Sequence, residues 1–491
     1  MLNDARIGRL RELLVAREFS AEELTNAVLD RVDALQEPLN AFITVTADLA
    51  LADARAVDQK IAGGEDPGPL AGIPFAVKDN ICTAGVRTTC ASRMLELFVP
   101  PFSALVYERL RRAGAVPVGK LNLDEFGLGT TNRNSRFGPT LHPWDDSRLA
   151  GGSSGAAAVA VVTRQVCLAL GSDAGGSVRL PAAYCGAVGL KPTYGLIPTH
   201  GLVECAPSLE HLGPLTVDVA GCAAALTVLA GPDPADPLTT GAAGEDYTAR
   251  LGQDVRGLAV GVPREYLSPD MDPEVRALFE KCLARLSGLG ARVEETSLPH
   301  TAHAVAAYFV ISSAEAFSNL SNFDGVRFGH RAEARHLHEM YRRTRREGFG
   351  ADLRRRQLFG TLVLSAGHFE EFFVKAQQVR TLVRQDFHAA FAKFDLLAAP
   401  TAPAPAPPWA DAELDGLAAR LRDAALLPAN LAGLPALSLP MGFAGRLPAG
   451  LHLVGPAFGE GVLLRAARAL EEDIGFYRHV PPIAFTNTEG Y

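Results

Sequence analysis

The stretch LALGSDAGGSVRLPAAYCGAVGLKP, residues 168–192, has few bulky side chains, and its centre, Ala174–Gly175–Gly176–Ser177, has none. Small residues in succession let backbone approach something closely. That something is either a second protein segment, packed tightly, or a ligand reached by N–H groups. The preceding VTRQVCLAL reads as a buried strand that enters this glycine-rich loop.

The rest of the chain supplies partners for such a strand. AGIPFAVKDNI (71–81) is another apolar run of strand length, ending in Lys78. ALVYERLRRAGAVPVGKLNLDEFGLG (104–129) reads as a helix, a glycine turn, a short strand and a second helix. Alternation of this kind predicts an α/β fold, a central mixed sheet with helices on both faces. Before it, residues 4–36 read as two amphipathic helices, with Ile7, Leu10, Leu13 and Leu14 at helical spacing. Ser20 and Glu23 form a capping box for the second. From about 272 to 400 helical patterns dominate, and APTAPAPAPPWADAE (399–413) reads as a Pro-rich loop or lid. LPANLAGLPALSLPMGF (427–443) and PAGLHLVGPAF (448–458) then resume short apolar strands. No internal repeat is visible. We expect one domain over 1–491, with helices of 1–60 packed on the body and a helical insertion at about 272–400.

Composition excludes several classes. At 491 residues the chain is too long for one small core. A net charge of −8 gives no basic field for gripping nucleic acid. The runs RRTRRE (342–347) and RRR (354–356) read as solvated helix faces. Seven cysteines without a CxxC pair argue against a disulfide framework or a zinc site, and their Ala, Val and Gly neighbours suit small core residues. The N-terminus lacks the apolar core of a signal peptide, and no stretch is apolar enough for a membrane span, so a cytoplasmic location is expected.

Three features carry chemistry. Lys78 ends an apolar run, as either a snorkelling surface lysine or a desolvated one able to act as a base. GGSSG (151–155) places Ser153 and Ser154 in a glycine loop ahead of a small-residue helix. It fits G-x-S-x-G, but HPWDDSR rather than a strand precedes it, so it is no nucleophile elbow. It is no P-loop either, since no Gly-Lys-Ser/Thr follows. Ala174, Gly175, Gly176 and Ser177 could turn successive N–H groups on one point, as an oxyanion hole, or could simply pack. No histidine lies in these segments. A nucleophilic Ser177 would therefore need a neutral lysine as base, with a second serine as relay.

Lys78, Ser153 and Ser177, in this order and spacing, resemble the Ser–Ser–Lys triad of the amidase signature family. AGIPFAVKDNICTAGVRTTCAS, LNLDEFGLGTTNRNSRFGPT, GSDAGGSVRLPAAYCGAVGLKPTYG, SLEHLGPLT and LLPANLAGLPALSLPMGF extend the resemblance over nearly the whole chain. They resemble its glutamine-hydrolysing branch, whose members feed ammonia to tRNA-dependent amidotransferases. The resemblance implies Lys78 as base, Ser153 as relay behind a cis peptide bond, and Ser177 as nucleophile on the glutamine side-chain amide. It implies Asp423 for the substrate ammonium, Arg356 (or Arg355) for its carboxylate, and Tyr308 in the pocket wall. Asp173 and Arg179 become loop supports. Ala156, Ala157 and Leu180 depart from common family residues without removing a catalytic group. No cofactor or metal is implied for this chain. Two partners are implied, the B and C subunits of a heterotrimer. The first would bind ATP, Mg2+ and misacylated tRNA, and the second, a small protein, would join the other two. The alternatives are a free-standing amidase for another small amide, and a non-catalytic scaffold.

Overall fold

The structure, a computed structural model, describes residues 2, 4–239, 245–413 and 424–484. Its frame is an 11-stranded mixed sheet in the order β1-β3-β2-β4-β6-β5-β10-β11-β9-β7-β8. The strands are β1 (Phe42–Val45), β2 (Pro74–Lys78), β3 (Val116–Leu121), β4 (Leu168–Ser172), β5 (Val188–Lys191), β6 (Leu212–Thr216), β7 (Ala259–Pro263), β8 (Arg292–Thr296), β9 (Leu396–Pro400), β10 (Ala436–Ala444) and β11 (Leu447–Val454). Every residue of β2, β3 and β4 is buried. That is why these strands read as continuous apolar runs without alternation. β2 runs parallel to β3 and β4, whereas β4 and β6 are antiparallel. In the β2–β4 register Val77 faces Leu170, so the carboxyl ends of both strands, Lys78 and Ser172, emerge on one edge.

Helices close over this sheet. Gly155–Val162 (GAAAVAVV) is buried on all sides and packs on β4, as a helix apolar all round must. Ala21–Leu39 carries the expected capping box: Ser20 accepts from the Glu23 N–H, and the Glu23 side chain accepts from the Ser20 N–H. In the 272–400 stretch lie the helices Pro273–Gly288, Ala304–Leu320, Leu337–Gly348, Ala351–Val363 and Lys375–Phe391. The same stretch also contributes β8 and β9 to the sheet. All seven cysteines are buried and unbridged. No helix among the described residues is long and apolar enough to cross a membrane.

Three local expectations are corrected. The second helix expected within 104–129 is only a turn, Glu125–Gly127, with Phe126 at φ 52°. Asp124 ends the regular path there by accepting from the N–H groups of Asn132 and Asn134 across the following loop. LPANLA forms a helix, Leu427–Ala432, rather than a strand. Ala399 and Pro400, assigned to the Pro-rich loop, complete β9.

Helix 351–363 lies against helix 304–320 with Gly360 at the contact. A Cβ there would sit 2.2 Å from the Ser313 carbonyl oxygen and 2.6 Å from Phe317 Cβ. Gly360→Ala is expected to destabilise the protein by roughly 1–3 kcal/mol, read as a lower urea midpoint at unchanged slope. Gly288→Ala, whose Cβ meets nothing within 4 Å, should leave the midpoint level or raise it.

Candidate active site

Lys78 is fully buried at the end of β2. Its Nζ lies 2.7 Å from Ser153 Oγ and 3.0 Å from Ser172 Oγ. The snorkelling reading therefore fails: the amine points inward, onto a serine. The next residues are held by a second buried lysine. Lys120 pairs with Asp79 at 3.1 Å and donates to the Ile81 carbonyl at 2.8 Å. Burial pushes the Lys78 ammonium down from its usual range, against the pull of the Glu210, Asp124 and Asp173 carboxylates. A lysine lowered in this way can act as a base nearer neutral pH.

Ser153 follows a cis Gly152–Ser153 peptide. A Cβ at Gly152 would fall 2.1 Å from Asp124 Oδ2, so only glycine fits between Ser153 and the Asp124-held loop. The Asp124 N–H donates to the Ser153 carbonyl. Ser154 does a different job from Ser153. Its Oγ donates to the Ser172 carbonyl at 3.1 Å, and its N–H donates to the Ser177 carbonyl at 3.1 Å. The two serine loops are thus bonded to one another directly.

Ser177 lies in the turn between β4 and helix Arg179–Cys185. Asp173 and Arg179 clamp this turn as a fully buried pair. Arg179 Nε and Nη2 each donate to the carboxylate at 3.1 Å. The same carboxylate accepts from Gly176 N–H at 2.7 Å and Val178 N–H at 3.1 Å. Burial alone would raise the Asp173 carboxyl, but the Arg179 charge and hydrogen bonds outweigh it and hold it far below the usual range. This corrects the oxyanion-hole set. Gly176, expected as a donor, has its N–H committed to Asp173, and its φ of +102° makes the turn instead.

Tyr308, on helix 304–320, is buried against this turn, and a Cβ on Gly175 would lie 2.6 Å from its ring. Arg356 reaches the same helix from 351–363. It donates to Ser313 Oγ at 3.3 Å, and its guanidinium sits 4.3 Å over the Phe309 ring. Arg355, the fallback, is two-thirds exposed and paired with Asp352. Asp423 lies outside the described residues.

Several site residues escaped sequence reasoning. Asn430 Nδ2 donates to both the Asp173 carbonyl and its carboxylate, and Asn430 Oδ1 accepts from Arg179 at 2.6 Å. Ser172 and Asn80 bond one another beside Lys78 at 3.1 Å. Glu210 is buried near the lysine and pushed upward by that burial. The motifs LNLDEFGLG and SLEHLGPLT contain Asp124 and Glu210, but no local pattern distinguishes a buried acid from a surface one. No group of three or more His, Cys, Asp and Glu among the described residues could hold a metal ion.

Known proteins resemble this chain over nearly its whole length. The Amidase family profile matches residues 23–464. The A subunit of the glutamyl-tRNA(Gln) amidotransferase of Moorella thermoacetica is 50% identical over 474 residues, 96% of this chain and 97% of that one. The protein of the same name from Carboxydothermus hydrogenoformans is 48% identical over 96% of this chain and 98% of its own. Among solved structures, the glutamyl-tRNA(Gln) amidotransferase A subunit of Thermotoga maritima superimposes with a TM-score of 0.78 at 38% identity, covering 94% of each chain. The peptide amidase of Stenotrophomonas maltophilia gives 0.83 at 32% identity, covering 96% of this chain and 97% of that one. The match of profile, sequence and fold over nearly the full length makes this chain a member of the amidase family.

Proposed function

We propose that this chain is the glutamine-hydrolysing subunit of a tRNA-dependent amidotransferase. The observation that carries the chemistry is the buried 2.7 Å contact between Lys78 Nζ and Ser153 Oγ. The half-identity to amidotransferase A subunits over almost the whole length supports the choice of assembly.

In this mechanism Ser177 Oγ attacks the side-chain amide carbon of glutamine. The Ser177 proton passes to Ser153 Oγ, and the Ser153 proton passes to the neutral Lys78 amine. The carbonyl electron pair moves onto oxygen, which takes hydrogen bonds from the N–H groups of Ala174, Gly175 and Ser177; losing one such donor costs about 10²–10³ in rate. On collapse the C–N bond breaks, and the proton returns from Lys78 through Ser153 to the leaving nitrogen, giving ammonia. Water then attacks the glutamyl ester by the same relay and releases glutamate.

Arg356 binds the substrate α-carboxylate, Asp423 its α-ammonium, and Tyr308 walls the pocket. The stacking of Arg356 on Phe309 supports its part, because a planar guanidinium fixed on an aromatic face is pre-aimed for a carboxylate. Ammonia passes to the B subunit, which holds ATP, Mg2+ and the misacylated Glu-tRNA(Gln) or Asp-tRNA(Asn), while the C subunit joins the two. The acidic net charge agrees with a chain that leaves tRNA binding to its partner. Protein synthesis in the cytoplasm is the setting this reading gives.

Glutamine hydrolysis should be measured for the chain alone and co-expressed with the B and C subunits. Activity that needs the partners and falls by roughly 10³-fold or more in Ser177→Ala fits the reading. Lys78→Ala should cost about as much, and the double variant little more, since the two act as a unit. Strong turnover of unrelated amides by the lone chain, indifferent to glutamine, would replace it with a free-standing amidase. Arg356→Ala should raise KM for glutamine roughly 10- to 100-fold, with Arg356→Lys recovering little of it. The pH dependence has a definite sign. Only neutral Lys78 accepts a proton, so kcat/KM should rise with pH through a midpoint below the ordinary lysine value and fall away as acid protonates the amine.

A further inference from the structure

Glu125 stands between two parts of the site. Its backbone belongs to the turn Glu125–Gly127. That turn reaches the Lys78–Ser153 pair: a Cβ on Gly127 would stand 3.7 Å from Ser153 Oγ and 3.9 Å from Lys78 Nζ. The Phe126 N–H fixes the turn to the Cys90 carbonyl at 2.9 Å, and the Cys90 N–H donates to the carbonyl of Asp79, the residue after Lys78. The Glu125 side chain leaves in the other direction and is buried. Its Oε2 accepts from the Gly350 N–H at 2.9 Å, and its Oε1 accepts from Ser92 Oγ at 2.5 Å. Ser92 Oγ also lies 3.1 Å from the Gly348 carbonyl. Burying a carboxylate is costly unless its oxygens are partnered, and both of these are. The fit is close, since a Cβ on Gly350 would fall 2.5 Å from Oε2. Alongside, the Phe126 and Phe349 rings meet with their centroids 5.8 Å apart.

Gly350 is the N-cap of helix 351–363, which carries Arg356. A carboxylate at a helix N-terminus is also favoured by the partial positive charge there. The helix has a second anchor at Gly360, where it lies against helix 304–320. Arg356 lies between the two anchors. At about 1.5 Å per residue, Gly350 is about 15 Å from Gly360 along the axis and Arg356 about 6 Å. With Gly360 as pivot, a swing of about 1 Å at Gly350 moves the Arg356 backbone by roughly 0.4 Å. A planar guanidinium aimed at a carboxylate through two parallel hydrogen bonds is sensitive to such a shift.

We infer that Glu125 is a positioning residue for glutamine: through Gly350 and Ser92 it ties the start of helix 351–363 to the turn beside Lys78 and Ser153, and so sets the reach of Arg356 to the reacting amide. This rests on the reading of Arg356 as the group that binds the substrate carboxylate. Glu125 then acts on the placing of glutamine and not on proton transfer.

The test uses the full chain assembled with its partner subunits, with two readouts. One is glutamine kinetics. The other is the rate of Ser177 labelling by phenylmethylsulfonyl fluoride, which has no α-carboxylate for Arg356 to bind. Glu125→Met fills the space but removes both acceptors. It should raise KM for glutamine roughly 3- to 10-fold, with kcat and the labelling rate within about twofold of wild type. Glu125→Gln keeps an acceptor for Gly350, and its amide N–H can donate to Ser92, whose proton then goes to the Gly348 carbonyl. It should return KM most of the way to wild type. Gly350→Ala pushes on the carboxylate from the helix side and should raise KM as Glu125→Met does, so it decides if Glu125→Met does not fold. Glu125→Met added to Arg356→Ala should raise KM little further, because the one acts through the other. The inference is overturned, while Arg356 keeps its role, by any of four results: KM unmoved in both Glu125→Met and Gly350→Ala, no recovery in Glu125→Gln, labelling that falls in step with kcat, or effects that multiply in full in the double variant. An Arg356→Ala variant with unchanged KM overturns that role and this inference together.

Discussion

The Asp173–Arg179 ion pair is the constraint on which the site depends. Both side chains are without solvent exposure, and taking two such charges from water is costly unless geometry and further hydrogen bonds compensate. Here they do. Arg179 also donates to the Leu426 carbonyl at 3.1 Å, to His452 Nε2 at 2.9 Å and to Asn430 Oδ1. Burial and the Arg179 charge hold the His452 imidazole far below its usual range, so it accepts as a neutral ring. The pair thus draws β11 and helix 427–432, from the C-terminal part of the sequence, onto the turn that follows β4. Among the described residues Asp173 Oδ2 takes bonds only from Val178 and Arg179, whereas Oδ1 accepts both from Gly176 of the turn and from the distant Asn430. Removing either partner would leave a bare buried charge, the most expensive defect a core can carry.

Lys78 obeys the opposite logic. Among the described residues it has no direct carboxylate partner of that kind, only hydroxyls and a carbonyl in hydrogen-bond reach. Desolvation therefore dominates and favours the neutral amine, while the acids around the pocket stop the shift from running further. One pocket keeps a charge by giving Asp173 a full set of donors. It discourages another by giving Lys78 neutral neighbours. Acid–base roles in a site are set by such divergent environments rather than by residue type.

Much of this was legible in the sequence. Buried strands announce themselves as unbroken apolar runs, and the runs ending in Lys78 and Ser172 did so. The capping box at Ser20 was legible because both its bonds are local. What failed depended on contacts distant in sequence. LNLDEFGLG carries apolar residues at helical spacing, but Asp124 captures N–H groups up to ten residues on, and that outweighs propensity. LPANLA looked like strand because its apolar residues are buried on every side, which erases the period that separates helix from strand. Asn430 and Glu210 gave no signal at all. The partner of Asn430 lies 257 residues away, and only the folded chain brings the two together.

The placement of the site explains a division of labour. The chemical groups stand at the carboxyl ends of β2 and β4, where the sheet passes from parallel to antiparallel pairing at β6. Open sheets form a crevice where strand order or direction changes. The groups assigned to substrate recognition stand instead on helices 304–320 and 351–363, which meet the sheet-borne turn at the Tyr308–Gly175 contact. A side chain at 175 would drive that contact apart, so glycine there is what lets the tyrosine ring against the turn.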